Sequence, residues 1–341
     1  MTQAKTTIKT HQPPPEHQNP QQKQKLTLAI VEDDALIRES LETYLETFLP
    51  DRANVELRVF KGASSFIRAI EAQKSSSEYL GKLDCLITDA FMPSLEAGKQ
   101  VLQTAKQRFP TVRIALLSGY ATDQLLPLMM SLNVGQAWVK SVPFDYQFFG
   151  QLVGQLLDPS LAFGLAGHMQ PEAELTSIRV TSSAQITTCM NQFKTILEQH
   201  QIKAADEMMT CFAEALTNAI YHAPRNPQGE EKYAKWSQID ALLPEETVTV
   251  EIGADAHHVG FMVHDNFGAL DARTLLYLLH RHQAGDGLMD THGRGLYLMH
   301  SLASRLVVNV KPGQCTEFIL LTQKNVQNVS VGDKPILIHV V

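Results

Sequence analysis

Five residues whose side chains could move a phosphoryl group lie where apolar, strand-like segments end: Glu32, Asp33, Asp89, Ser118 and Lys140. In doubly wound sheets these strand ends meet in one crevice. Three carboxylates at such short separations repel one another and require a cation. Mg²⁺ prefers oxygen ligands of this kind. A hydroxyl and an ammonium group on the other side could hold phosphoryl oxygens. The sequence therefore predicts phosphoryl transfer to Asp89, with Glu32, Asp33 and Asp89 as Mg²⁺ ligands.

The elements that must position these residues alternate along the first half of the chain. Short continuous apolar runs indicate strands that are buried on both faces, and helical periodicity separates them. This order predicts an α/β doubly wound unit with a five-stranded parallel sheet, closed by a helix that starts near Pro143 and runs to about Leu157. The predicted strands are LTLAIV (26–31), VELRVF (55–60), LDCLIT (83–88), VRIALL (112–117) and QAWVK (136–140).

Four motifs in this half, IVEDD, ITDAFMP, LLSGYA and WVKSVPF, resemble the receiver domain of two-component response regulators, over residues 26–157. The resemblance implies that Asp89 is the phosphoacceptor and that Glu32 and Asp33 are the acidic pair. It implies that Ser118 and Lys140 are the signalling hydroxyl and lysine. It also implies an upstream sensor histidine kinase as a partner.

A second group of polar residues lies on one predicted helix, in the segment CFAEALTNAIYHAP. Glu214, Asn218 and His222 are spaced i, i+4 and i+8, so they share one face of an otherwise apolar helix. One interpretation is a solvent-exposed polar stripe. The other is a catalytic face, on which Asn218 ligates Mg²⁺ and Glu214 acts as a general base or positions water.

Glycine-rich and acidic turns follow this helix. Asp265 ends a predicted strand beside Gly268, where its carboxylate could accept a hydrogen bond from an adenine amino group. Gly293 and Gly295 directly precede a predicted helix, where backbone N–H groups can approach phosphates. Thr316 starts a further strand. Strands that alternate with period two, TVTVEIG and HHVGFMVHD, predict a half-exposed antiparallel pair in an α+β unit with helices on one face of a mixed sheet.

Together these segments resemble the ATP-binding sandwich of the GHKL (Bergerat) type that histidine kinases, gyrase, Hsp90 and MutL share. The form E-x-x-x-N-A-x-x-H is similar to the first motif of the anti-sigma-factor serine kinases. The resemblance covers about residues 177–322 and implies that ATP and Mg²⁺ are cofactors, with residues 271–292 as the ATP lid. The implied base is Glu214. The implied cofactor-binding residues are Asn218 (with Mg²⁺), His222, Asp265, Gly268, Gly293, Arg294, Gly295, Leu296 and Thr316.

On this basis we expect a response regulator whose phosphorylation controls a serine/threonine-kinase-like output module, which acts in partner switching on an anti-sigma-factor antagonist of the STAS type or on a sigma factor. An alternative is a binding module with a degenerate nucleotide pocket that sequesters its partner without catalysis, because Phe267 and Ala269 replace the glycines of the related D-x-G-x-G motif. His280, His282 and His292 could form a metal site, but we expect solvated lid residues.

Composition limits the remaining classes. At about 150 residues per domain, 341 residues suggest two domains. A net charge of −7 and the lack of a basic stripe argue against nucleic acid as a partner. Four scattered cysteines fit a reducing cytoplasm. The sequence contains no run of about 20 apolar residues, so no membrane span is predicted. A homodimer is expected. We predict a disordered tail (1–25), the receiver domain (26–157), a linker (158–176), the ATPase-like domain (177–325) and a carboxyl-terminal strand and tail (326–341).

Overall fold

The computed structural model describes residues 25–49, 54–283, 294–324 and 330–341. All named strands of these residues belong to one sheet, in the order β2-β1-β3-β4-β5-β11-β9-β10-β8-β7-β6. The amino-terminal half contributes the first five positions and the carboxyl-terminal half the other six. The two predicted units are therefore joined through continuous backbone hydrogen bonding.

The amino-terminal half is a parallel α/β unit with strand order 2-1-3-4-5. Its strands are apolar and almost wholly buried except for β2 at the sheet edge, as expected when helices cover both faces. The strands are β1 (Leu26–Val31), β2 (Val55–Phe60), β3 (Cys85–Asp89), β4 (Arg113–Ser118) and β5 (Gln136–Val139). The helices are α1 (Ala35–Phe48), α2 (Ala63–Glu71), α3 (Leu95–Arg108), α4 (Thr122–Leu132) and α5 (Tyr146–Leu157).

Side-chain caps set where three of these helices start. Asp34 accepts a hydrogen bond from the Ile37 amide, and Ser94 and Asp145 cap α3 and α5 in the same way. The cap at Asp145 explains why α5 begins after the position that the sequence predicts from Pro143. These caps fix the helices close to the strand ends that carry the acidic residues.

The carboxyl-terminal half is an α+β unit whose strands are mainly antiparallel. Its strands are β6 (Glu174–Val180), β7 (Val248–Ala254), β8 (His258–Asp265), β9 (Arg305–Lys311), β10 (Cys315–Gln323) and β11 (Ile336–Val340). Its helices are α6 (Gln185–Gln199), α7 (Ala205–Thr217), α8 (Ala272–Gln283) and α9 (Arg294–Leu302). A π-helical turn, Asn218–His222, continues α7.

Strand β11 joins the two halves. It pairs in parallel with β9 and antiparallel with the end of β5. Gly135 makes this approach possible, because a Cβ at that position would lie 2.2 Å from the Ile338 carbonyl oxygen. The Ile338 amide donates to the Gly135 carbonyl oxygen at 2.9 Å.

The apolar core lies on both faces of the sheet in both halves. On one face, residues of α6, α7, α8 and α9 pack together with those of α2, α3 and α4. On the other face, Phe149 and Leu152 of α5 share a core with Met262 and Leu321 of the carboxyl-terminal half. The expectation of a half-exposed antiparallel pair is therefore wrong: β8 is buried on both faces because α5 and the segment after it cover the second one.

The segment predicted to link the two units forms two short 3-10 helices, Pro159–Ala162 and Leu165–His168, and then enters β6. It is fastened to the sheet by polar contacts. Gly164 and Leu165 donate their amides to Glu317 and Glu251, at 3.1 and 2.9 Å. Asn309 donates its side-chain amide to a carbonyl of the same segment at 2.5 Å. No helix among the described residues is long and apolar enough to cross a membrane.

Candidate functional site

The strand ends of β1, β3, β4 and β5 bring the predicted phosphoacceptor residues together. Glu32, Asp33 and Asp89 each place a carboxylate oxygen within 4.8 Å of the other two. Glu32 and Asp89 are buried, whereas Asp33 is exposed, so the cluster opens to solvent on one side. This arrangement offers several oxygen ligands to a hard divalent cation from one accessible direction.

Lys140 supplies the positive charge of this cluster. Its Nζ lies 2.7 Å from Asp89 Oδ2 and 2.7 Å from Glu32 Oε2. Burial alone would lower the pKa of the Lys140 ammonium, but its contacts with Asp89 and Glu32 outweigh that effect and raise the pKa. Burial also raises the pKa of the Glu32 carboxyl, against the opposing effect of Lys140. The three carboxylates outnumber the Lys140 ammonium, so a bound divalent cation would offset negative charge in the cluster.

The second oxygen of Asp89 and the neighbouring hydroxyl are held by main-chain groups. Asp89 Oδ1 accepts a hydrogen bond from the Phe91 amide at 3.0 Å. Ser118 is fully buried at the end of β4, and its Oγ accepts from the Tyr120 amide at 3.0 Å. Because β3 and β4 are neighbours, Ser118 follows the residue that pairs with Asp89. Among the described residues the Ser118 hydroxyl donates to no acceptor, so its proton is available to an oxyanion.

The end of α7 departs from α-helical geometry at the predicted nucleotide motif. Asn218–His222 form a π-helical turn that packs against β8, and such turns often occur at functional sites. Glu214 and Asn218 are half-buried, and neither side chain has a hydrogen-bond partner among the described residues. His222 instead contacts the loop that follows, with its Nδ1 2.9 Å from Glu231 Oε1.

The predicted adenine-reading carboxylate is buried and bound to the main chain. Asp265 accepts hydrogen bonds from the amides of Phe267, at 2.9 Å, Gly268 and Thr316. Burial raises the pKa of Asp265 to about 6 in spite of these contacts. Gly268 has a left-handed φ of 60°, and a Cβ there would lie 2.0 Å from the Lys311 carbonyl oxygen. The turn that presents Asp265 therefore requires glycine at this position.

The first turn of α9 lies against the side of α7 that carries Glu214. Gly295 is so close to Glu214 that a Cβ on it would lie 2.1 Å from Glu214 Oε1. Arg294 is exposed and Leu296 is buried. Gly293 lies outside the described residues, as does His292.

The segment predicted to be the ATP lid begins as α8, which packs against α4 of the amino-terminal half. His282 is buried and stacks on the Tyr297 ring at a centroid distance of 5.9 Å. The expectation of a solvated residue is therefore wrong for His282, because the α8–α9 contact covers it. No group of metal-binding side chains among the described residues includes a histidine.

The residues that hold the two halves together are not among those predicted from the sequence. Thr122 at the start of α4, and Lys334 just before β11, contact each other across the chain at buried positions. The mostly apolar run ILIHV after Lys334 and Pro335 was the signal available, because such a run indicates a strand that is buried on both faces.

The comparisons with known proteins assign the two halves separately. Residues 180–320 match the family model described as histidine kinase-like ATPase domain. No curated protein matches the chain. Solved structures match part of the chain at low similarity. One is a response regulator from Thermotoga maritima, 16% identical, with 39% of this chain and 98% of that chain covered and a TM-score of 0.31. Another is a response regulator receiver protein from Pseudoalteromonas atlantica, 18% identical, with 39% and 98% covered and a TM-score of 0.30.

Residues 180–320 are thus similar to histidine kinase-like ATPase domains, and an α/β unit with parallel strands precedes them. Both predicted fold classes are confirmed.

Proposed function

We propose that this chain is a response regulator in which an upstream sensor histidine kinase phosphorylates Asp89, and that the phosphorylation state controls the ATPase domain. The observation that carries the proposal is the placement of Lys140 Nζ 2.7 Å from Asp89 Oδ2, within a cluster that also holds Glu32 and Asp33. An aspartate aligned in this way is a carboxylate nucleophile whose charge is already balanced on one side.

The reaction at Asp89 would transfer a phosphoryl group from a phosphohistidine. A carboxylate oxygen of Asp89 attacks the phosphorus, a P–O bond forms, the P–N bond breaks, and the imidazole leaves. Lys140 then pairs with the new phosphoryl oxygens, and Ser118 donates its hydroxyl proton to one of them. When bound at Glu32, Asp33 and Asp89, Mg²⁺ would neutralise charge on the transferring group.

The ATPase domain is proposed to bind Mg-ATP and to phosphorylate serine or threonine on an anti-sigma-factor antagonist of the STAS type. Glu214 would accept the proton of the attacking hydroxyl, and Asn218 would ligate Mg²⁺. Both side chains are half-buried and have no partner among the described residues, which leaves them available to a ligand. The same proposal includes a homodimer, which analytical ultracentrifugation can test. It also includes a location in the cytoplasm.

A second candidate function is a non-catalytic module that captures its partner by contact, a sigma factor or an antagonist. The state of Asp265 favours it: the carboxylate already accepts three main-chain hydrogen bonds, and Phe267 stands where the related motif has glycine. Calorimetric titration with Mg-ATP separates the candidates, since the absence of heat supports capture alone.

The test of the phosphoacceptor uses the full chain, a radiolabelled acyl phosphate and Mg²⁺. We expect acid-stable but base-labile label in the wild type, no label in Asp89→Asn, and loss of label when EDTA removes Mg²⁺. Asp123→Asn, a change of the same kind near the start of α4, should keep the label. Equal labelling of wild type and Asp89→Asn overturns the proposal.

The test of the output domain incubates the chain with labelled ATP and candidate antagonists, with and without the acyl phosphate. Glu214→Gln should abolish antagonist phosphorylation and retain ATP binding. Kinase activity that survives this change removes Glu214 from the role of base.

A further inference from the structure

The last described residues of the chain, 330–341, lie between the two halves and form a segment that we call the carboxyl-terminal segment. It runs through a short 3-10 turn, Val331–Asp333, into β11. Its strand is bonded to β5 on one edge and β9 on the other. His339 is buried beside Gln136 of β5, with 3.0 Å between Nδ1 and the Gln136 amide nitrogen. Any shift of β5 against β9 must therefore move this segment.

Thr122 fixes the start of the segment to the receiver-like unit. Its side chain is only 1% exposed, and its Oγ1 lies 2.9 Å from the Gly332 carbonyl oxygen and 2.7 Å from that of Lys334. The hydroxyl has one proton, so it can serve either carbonyl but not both fully. Thr122 opens α4, four residues after Ser118 at the phosphoacceptor cluster. A movement of the Ser118 loop is thus transmitted directly to this contact.

Lys334 fixes the same segment to the ATPase domain. Its side chain is buried, and its Nζ donates to the carbonyl oxygens of Ser301 and Ala303, at 2.5 and 2.7 Å, and lies 3.4 Å from that of His300. These carbonyls end α9, where a cation is favoured by the helix dipole. Among the described residues no carboxylate lies within salt-bridge distance of Lys334. Its charge is therefore held by the end of α9 alone.

The opposite end of α9 reaches the nucleotide residues. The helix has nine residues, so its two ends are rigidly related. Its second residue, Gly295, abuts Glu214. One continuous series of contacts thus runs from the loop after Ser118, through Thr122 and Lys334, along α9 to the catalytic face of α7.

We propose that the carboxyl-terminal segment couples the phosphoacceptor cluster to the nucleotide site, with Thr122 and Lys334 as the residues that position α9. This inference rests on the proposed function, because it requires that both sites bind their ligands. Coupling between two sites is reciprocal. If a bound phosphoryl group changes the affinity for ATP by some factor, bound ATP changes the affinity for the phosphoryl group by the same factor.

The experiment measures two affinities on the full chain by calorimetry, each with and without the other ligand. Beryllofluoride with Mg²⁺ serves as the phosphoryl mimic, and a non-hydrolysable ATP analogue with Mg²⁺ serves as the nucleotide. We expect each ligand to change the Kd of the other by about fivefold or more, by the same factor in both directions.

The variants separate coupling from folding. Thr122→Val removes the hydroxyl at nearly constant volume, and Lys334→Met removes the charge at nearly constant length. Both should bind each ligand alone and lose the mutual effect. Thr122→Ser, which keeps the hydroxyl, and Asp333→Asn, an exposed neighbour in the same segment, should retain the mutual effect.

Each outcome is decisive. Wild-type binding of both ligands without a mutual effect overturns the coupling and leaves the proposed function standing. A mutual effect that persists in Thr122→Val and Lys334→Met overturns the role of these residues. Absence of binding of either ligand to the wild type overturns the proposed function, and the coupling with it.

Discussion

Gly295 lies directly against the carboxylate of Glu214. A Cβ on Gly295 would lie 2.1 Å from Glu214 Oε1 and 2.6 Å from its Cδ. The contact joins the start of α9 to α7 and leaves no room for any other residue type without displacement of the Glu214 side chain.

Gly295→Ala should therefore impair catalysis more than folding. The clash is with the far end of a flexible side chain, which can swing away at small cost, but the displaced carboxylate no longer aligns with its substrate. We expect antagonist phosphorylation to fall by about 100-fold, in the range of a lost general base, with little change in the melting temperature. Radiolabel transfer and differential scanning calorimetry are the measurements.

Gly154→Ala provides the matched control, because it is also a helical glycine and its nearest neighbouring atom would be 3.9 Å from the added Cβ. It should leave catalysis unchanged. Equal rates for wild type and Gly295→Ala would show that the Glu214 position is not critical.

Lys140→Met should destabilise the protein and make its stability depend strongly on Mg²⁺. The change leaves Glu32, which is buried, and Asp89 without their shared ammonium, and breaking a buried ion pair in this way costs about 3–5 kcal/mol. Added Mg²⁺ should recover part of the loss, as urea unfolding with and without the ion would report.

Lys99→Met removes a surface lysine that lies 3.7 Å from Glu96, and it should cost less than about 1 kcal/mol with no dependence on Mg²⁺. A Lys140→Met protein that is as stable as this control would contradict the charge balance described for the cluster.

Asp265→Asn should stabilise the ligand-free protein at neutral pH. Burial raises the pKa of Asp265 to about 6, above the ordinary value of 3.8, so the folded state binds the proton more tightly than the unfolded state. The stability of the wild type therefore falls as pH rises from about 4 to about 6, and the penalty is fully present above that range. It amounts to about 3 kcal/mol at most.

The difference in unfolding free energy between Asp265→Asn and the wild type should accordingly be positive at pH values above about 7 and vanish below about 4. Urea unfolding across this range is the measurement. The same variant should weaken ATP binding, because it replaces one of the two carboxylate oxygens with an NH₂ group. An NH₂ group cannot accept a hydrogen bond from the adenine amino group. Unchanged affinity for ATP would remove Asp265 from the adenine site.

His264 and Glu317 should give the opposite dependence on pH. Glu317 Oε1 accepts a hydrogen bond from His264 Nδ1 at 3.0 Å, and this bond raises the pKa of the imidazole above 6.5. Burial would raise the pKa of the Glu317 carboxyl, but contacts led by His264 lower it. The charged pair makes its full contribution to the free energy of unfolding below pH about 6.5. This contribution is lost as pH rises through the elevated pKa of His264.

His264→Gln should flatten this decline, whereas His257→Gln, which changes an exposed histidine before the other end of β8, should preserve it. Unfolding free energies measured on both sides of neutral pH decide the matter. A decline that persists in His264→Gln would show that another group titrates.

Much of the amino-terminal α/β unit could be predicted because its evidence is local. An apolar run such as 26–31 indicates a buried strand, and the acidic residues that follow it must lie at the sheet edge. The spacing of Glu214 and Asn218 likewise predicted that they share one helix face. For β8 the prediction was wrong, because period-two alternation indicated an exposed face that α5 covers. Alternation reports which residues differ in polarity, and it does not report which distant element packs on them.

The sequence by itself determined the order of strands and helices, the acidic cluster with its lysine, and the polar face of α7, since each depends on residue type and short spacing. Only the tertiary structure decided that the two halves share one sheet through β11, that Thr122 meets Lys334, and that Gly295 abuts Glu214. These contacts join residues far apart in the chain, so their existence depends on the packing of whole elements. No local pattern of polarity encodes that packing.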